Sequence, residues 1–84
     1  MRYLLEITPK AEKEYLKLPK PIQEKTRRKV LLLEDNPRPY GSKRLKNTDF
    51  HRLRVGDYRV VYSINEDARL VKVLSVEHRK DVYR

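Results

Sequence analysis

The stretch F-H-R-L-R-V-G-D-Y-R-V-V-Y, from Phe50 to Tyr62, narrows the choice of fold more than any other part of the chain. Aromatic and β-branched residues alternate with charges on either side of Gly56-Asp57, the pattern of two strands joined by a two-residue turn. So tight a turn sets the register: Val55 faces Tyr58, Arg54 faces Arg59, Leu53 faces Val60 and Arg52 faces Val61, because partners in an antiparallel hairpin advance in step. Leu53, Val55, Tyr58, Val60 and Tyr62 then form an apolar face, and Arg52, Arg54 and Arg59 a basic one. Like charges set opposite each other destabilise a sheet, so Arg54 against Arg59 is a conflict that an anion seated between them would resolve.

The remaining elements are read outward from that hairpin. Tyr3 to Ile7 is short and mostly apolar, a first strand. Thr8-Pro9 is a helix start, with Thr8 as the N-cap and proline at the first helical position. Ala11, Tyr15, Leu16 and Leu18 form the apolar stripe, and Lys10, Glu12, Lys13, Glu14 and Lys17 the wet side. Pro21 opens a second helix running to about Asp35, with Ile22, Thr26, Val30 and Leu33 facing inward and Leu31 and Leu32 widening the buried stripe. Asn36-Pro37 ends it. The two helices are expected to form an antiparallel hairpin.

After the loop Pro37 to Ser42, Lys43-Arg44-Leu45-Lys46 reads as a short edge strand and Asn47-Thr48-Asp49 as a turn. The second strand of the focal hairpin runs to about Ile64, and Asn65 to Ala68 reverse the chain. Leu70 to Val76 is a strand with apolar residues on both faces, as suits the middle of a covered sheet. The expected fold is α+β: an N-terminal strand, a helix hairpin, then three to four antiparallel strands, with the helices on one face. At 84 residues the chain has room for one domain, spanning 1–84.

A net charge of +9, from 21 Lys and Arg against 12 Asp and Glu, points to a polyanionic partner. From Arg38 to Arg59 seven basic residues stand against Asp49 and Asp57 alone. The absence of cysteine excludes disulfides and thiolate-bound zinc, and no apolar run is long enough to span a bilayer, which makes the cytoplasm the default compartment. There is no glycine-rich phosphate loop and no Ser-His-carboxylate set. His51 and His78 lack a clear carboxylate partner, so no metal and no cofactor is expected. A basic, carboxylate-poor surface with planar side chains suits single-stranded RNA. Such a surface can also cut RNA, since the 2′-hydroxyl is a built-in nucleophile and arginines can stabilise the phosphorane.

The runs R-L-R-V-G-D-Y-R-V-V-Y at 52–62 and H-R-K-D-V-Y at 78–83, with R-L-K at 44–46, resemble RelE-type toxins of the RelE/ParE superfamily over essentially the whole length. These are the mRNA interferase halves of type II toxin–antitoxin pairs. The resemblance implies a microbial-ribonuclease-like fold whose concave sheet face cleaves mRNA in the ribosomal A site, leaving a 2′,3′-cyclic phosphate and a 5′-hydroxyl. Position by position it assigns Arg59 and Arg79 to phosphate binding and transition-state stabilisation, and Tyr83 to the C-terminal catalytic tyrosine. Lys46 matches a basic residue that contacts a base, and Lys43, Arg44, Arg52 and His78 join it in the expected RNA-binding set.

Arg52 and Arg54 stand where relatives carry lysines. Arginine does not give up its proton, so the catalytic role expected of Arg54 is electrostatic, and proton transfer falls to Tyr83 ahead of His78. Asn47 stands where relatives often have glycine, a tolerable change because asparagine visits left-handed backbone. The resemblance also implies a cognate antitoxin, for which the basic surface suggests an acidic, partly disordered segment, with ribosome and mRNA as the other partners. Two rival readings stay open: a non-enzymatic inhibitor of DNA gyrase of the ParE kind, and a degenerate toxin that binds only antitoxin or RNA.

Overall fold

The N-cap expected at Thr8 is the hinge on which the first half of the molecule turns. In the computed structural model, which describes residues 2–78, strand β1 (Leu4–Ile7) passes directly into helix α1 (Pro9–Leu16), and Thr8 Oγ1 accepts the Ala11 N–H at 3.2 Å. Helix α2 (Lys20–Leu32) follows after a three-residue link that has Pro19 as its cap and Pro21 in its first turn. Gln23 Nε2 donates back to the carbonyls of Leu16 and Leu18 at 3.2 and 3.0 Å, closing the end of α1 with a side chain of α2. Helix α2 stops at Leu32, earlier than expected. The next three N–H groups reach back three residues, Leu33 to Val30, Glu34 to Leu31 and Asp35 to Leu32, the tightened geometry common at helix ends.

Strands β2 (Ser42–Arg44), β3 (Phe50–Val55), β4 (Tyr58–Asn65) and β5 (Leu70–His78) complete a five-stranded sheet of order β1-β5-β4-β3-β2. The last four strands are an antiparallel meander. β1 joins the far side of β5 in parallel, Leu4 beside Leu70 and Ile7 beside Val73, so the sheet is mixed. A parallel partner needs a crossover, and here the two helices and the meander supply it.

The focal hairpin has the expected register throughout, Val55 to Tyr58, Arg54 to Arg59, Leu53 to Val60 and Arg52 to Val61. Gly56 takes φ +59° while Asp57 stays at negative φ, as a type II′ turn requires of its first central residue.

One face of the sheet holds the core. Leu53, Val55, Val60, Tyr62, Val71, Val73 and Val76 are buried there with Ala11, Leu18, Val30 and Leu33 from the helical segment. Tyr62 is fully buried and its hydroxyl donates to the Pro37 carbonyl at 2.7 Å, fastening the loop after α2 to the sheet; burial raises its pKa. Leu31 and Leu32 do not widen the buried stripe as expected. They are 44% and 61% exposed, because the arc that meets the sheet is filled by Thr26, Val30 and Leu33. Leu16 is likewise exposed, at the last turn of a helix only eight residues long.

A bulge in β5 interrupts the regular ladder. Tyr62 pairs with Val73 but Val61 pairs with Ser75, so Leu74 is an extra residue opposite no partner. β1 has already ended at this level, and α1 satisfies the backbone instead. Thr8 Oγ1 donates to the Leu74 carbonyl at 3.2 Å, and the Val76 N–H donates to Glu14 Oε1 at 2.8 Å. Glu14, expected on the wet side of α1, is thus an anchor for β5. The apolar residues on both faces of Leu70 to Val76 reflect this change of phase: Val71, Val73 and Val76 face the helices, and the extra residue lies between the last two.

Candidate functional site

Side chains alternate across a pleated sheet, so the core residues define by difference what lies on the other face. Besides a row Phe50, Ser63, Lys72, Glu6 toward β1, in which Lys72 pairs with Glu6 at 3.7 Å, two rows on that open face hold expected site residues. The first runs Lys43, Arg52, Val61, Ser75 through β2 to β5, and the second runs Arg54, Arg59, Glu77 through β3 to β5. Four expected site residues, Lys43, Arg52, Arg54 and Arg59, are therefore brought together on one surface. Among the described residues both helices lie on the opposite side.

The Arg59 side chain is only 19% accessible, and its Nε donates to Glu77 Oε1 at 3.2 Å. Glu77 Oε2 in turn accepts from Ser75 Oγ at 3.1 Å. The like-charge conflict between Arg54 and Arg59 is thus met from inside the chain, rather than only by the outside anion expected from the sequence. Arg54 turns its Nε to the Gly56 carbonyl at 3.3 Å, and its own carbonyl accepts from Lys29 Nζ at 3.0 Å, linking α2 to the edge of the basic face.

The bulge at Leu74 creates the Arg59–Glu77 pair. If the register of Asn65 with Leu70 continued unbroken, Arg59 would face Val76 and Glu77 would turn toward the core beside Tyr58. Sequence reasoning missed Glu77 for this reason. The available signal was the adjacent pair Val73-Leu74, which breaks strict alternation just before the charged residues.

Other expected residues are placed differently. Arg44 pairs with His51 and so lies on the helix-side face of the edge strand, where its Nε donates to the Thr48 carbonyl at 2.8 Å with Asp49 at 3.7 Å. Arg44, expected in the RNA-binding set, thus closes the turn at 45–49, and that turn carries Lys46. Asn47 takes φ +61°, the left-handed backbone allowed for at this position. His78 pairs with Tyr58 and also points to the helix side, its ring edge-on to Tyr58 at 4.9 Å and 85°. It meets Arg59 only around the end of the sheet, where Lys17, Leu18, Tyr58, Arg59, Glu77 and His78 line an open groove of about 580 Å3. Arg79 and Tyr83 lie outside the described residues.

His51 is no part of the open face. Its ring stacks on Tyr62 with centroids 5.6 Å apart, and burial together with the charges of Arg38 and Arg44 lowers its pKa below the usual histidine value. Arg38 belongs to a separate structural knot. Its guanidinium bonds Glu66 at 2.6 Å, Glu66 accepts the Tyr3 hydroxyl at 2.6 Å, and the Arg69 guanidinium lies over the Tyr3 ring at 4.2 Å. Together they tie the N-terminus, the loop after α2 and the β4–β5 turn, and they hold the Glu66 carboxyl below its ordinary pKa.

The family model for the ParE toxin of the type II toxin–antitoxin system parDE matches residues 5–83. The mRNA interferase toxin RelE of Escherichia coli is 31% identical over 87 residues, covering 99% of this chain and 92% of that protein. The fold is similar to the archaeal RelE–RelB complex from Pyrococcus horikoshii, with a TM-score of 0.85 and 32% identity over 94% of this chain and 97% of that one. The toxin–antitoxin complex RelBE2 from Mycobacterium tuberculosis gives a TM-score of 0.80 at 27% identity, over 94% of this chain and 100% of that one. With the match spanning both helices and all five strands, this chain belongs to the RelE/ParE family of type II toxin–antitoxin toxins, as a toxin of the RelE type.

Proposed function

We propose that this toxin is a ribosome-dependent endoribonuclease that cuts mRNA in the A site and thereby stops translation. The observation that carries the reading is the open sheet face on which Lys43, Arg52, Arg54 and Arg59 stand together. In the reaction the 2′-hydroxyl gives up its proton to water or a ribosomal group as its oxygen attacks the adjacent phosphorus in line, and a phosphorane with added negative charge forms. The bond to the 5′-oxygen then breaks, leaving a 2′,3′-cyclic phosphate and a 5′-hydroxyl. The nucleophile comes from the RNA, so the protein's work is orientation and charge stabilisation, for which no metal is required. Arg59 and Arg54 grip nonbridging oxygens, and Lys43 and Arg52 guide the flanking backbone. Arg79 and Tyr83 join them by their match to the family's motif, with Tyr83 protonating the leaving oxygen.

The relatives found in complex with RelB support a cognate antitoxin as partner. An acidic antitoxin segment would neutralise the same face and compete with RNA. Among the described residues no helix is long and apolar enough to cross a membrane, and the proposed site of action is the cytoplasm.

The test is to map mRNA ends by primer extension after induction, with wild type beside Arg59→Ala. Cuts at ordered codon positions are expected for wild type, with cleavage by the variant reduced about 100- to 1,000-fold, the usual cost of losing one preorganised charge-stabilising donor. Cleavage unchanged by Arg59→Ala would refute the reading. The family model's ParE description favours one rival, a gyrase inhibitor, for which DNA supercoiling rather than translation would fail first.

A further inference from the structure

A guanidinium can present two different edges to a phosphate, its Nη1–Nη2 end or its Nε–Nη2 side, and a flexible arginine samples both. Arg59 does not have that choice. Its Nε is committed to Glu77 Oε1 at 3.2 Å, whereas no acceptor meets either Nη nitrogen among the described residues. The carboxylate is itself held on its second oxygen by Ser75 Oγ at 3.1 Å, and Ser75 is 95% buried in the adjacent row. Arg59 and Glu77 are direct partners in the β4–β5 register, and they face each other only because of the extra residue at Leu74.

We infer that Glu77 is a positioning residue: the chain Ser75–Glu77–Arg59 locks the guanidinium so that its Nη1–Nη2 end, and not its side, is offered to the RNA phosphate. The inference rests on the proposed cleavage reaction. A carboxylate on a phosphate-binding face carries an electrostatic cost, because it repels the substrate it helps to orient. The arrangement is understandable if orientation contributes more to the rate than the repulsion removes. Misplacing a catalytic group by as little as 1 Å can slow a reaction about 100-fold.

The division of labour makes the inference measurable. Glutamine can still accept from Arg59 Nε through its amide oxygen while losing the charge, whereas alanine loses both. With ribosomes programmed with a defined mRNA, the maximal cleavage rate and the half-saturating concentration are measured for each purified variant under single-turnover conditions. Glu77→Ala is expected to lower the maximal rate by about 10- to 100-fold without raising the half-saturating concentration, and Glu77→Gln to restore most of the rate. In an Arg59→Lys background Glu77→Ala should cause no further loss, since there is no Nε edge left to fix.

An unchanged or faster Glu77→Ala enzyme would overturn the inference, because the carboxylate would then be a bystander or a competitor for Arg59. Equal loss in the alanine and glutamine variants would also overturn it, since the charge or a proton would then matter rather than the hydrogen bond. Should Glu77→Ala fail to fold, Ser75→Ala removes only the outer anchor; a smaller loss of maximal rate is expected, and none at all would count against the chain. An Arg59→Ala protein as active as wild type would instead refute the cleavage reading itself, so the two failures are distinct.

Discussion

Thr26 sits 1% exposed on the inner side of α2, its hydroxyl without a hydrogen-bond partner among the described residues. It faces a cavity of about 300 Å3 lined by Leu5, Ile7, Tyr15, Val30 and Val76 among others. A buried unpaired hydroxyl costs about 1–3 kcal/mol, and valine has nearly the same shape and helix propensity. Thr26→Val is therefore expected to stabilise the protein by about 1 kcal/mol, read from the urea midpoint at unchanged slope.

His51 makes the opposite kind of statement. Burial first, then Arg38 and Arg44, lower its pKa, with only Asp49 opposing them. The unfolded chain, titrating near the ordinary value of 6.5, takes up the proton before the folded one as pH falls. Stability is then complete above that value and declines as pH drops through the window beneath it. Urea midpoints at several pH values should fall less steeply on the acid side for His51→Gln than for wild type. Identical slopes would mean the imidazole is equally easy to protonate in both states.

At the scale of elements, the junction of β1, α1 and β5 depends on one side chain used twice. Thr8 Oγ1 accepts from Ala11 N as a cap and donates to the Leu74 carbonyl at the bulge. Thr8→Ala should cost about 1–2 kcal/mol, at the high end for an N-cap because a strand group is orphaned with it. Thr8→Ser should recover most of the loss in the same denaturation assay. The cap was legible in the order Thr8-Pro9. Its second bond was not, since the sequence gives no hint of which strand lies beside the helix start.

For the whole molecule, the net charge of +9 acquires a direction. The helices mix lysine with glutamate, whereas the open sheet face gathers Lys43, Arg52, Arg54 and Arg59 around Glu77, with a Lys72–Glu6 pair farther toward β1. Four phosphate contacts on single-stranded RNA correspond to a salt slope of about −3, a loss of roughly 50-fold in affinity between 50 and 200 mM salt. Titration of an uncleavable RNA carrying a 2′-deoxy substitution at the cut site would measure it. A flat response would count against a phosphate-gripping face.

What depends on neighbours along the chain could be read from the residues alone. The alternation from Phe50 to Tyr62 and the Gly56-Asp57 turn fix a hairpin register to the residue, and with it the common face of Arg52, Arg54 and Arg59. The two helix starts and the edge strand were readable for the same reason, since caps, prolines and periodicity are local signals. What depends on elements distant in the chain came from how they pack. The parallel pairing of β1 with β5, the bond from Glu14 to Val76 and the exposure of Leu31 and Leu32 each require knowing what packs on what. The clearest case is Glu77. A single extra residue at Leu74 moves its side chain from the core face to the basic face, because side chains on a strand alternate and a shift of one exchanges the two sides.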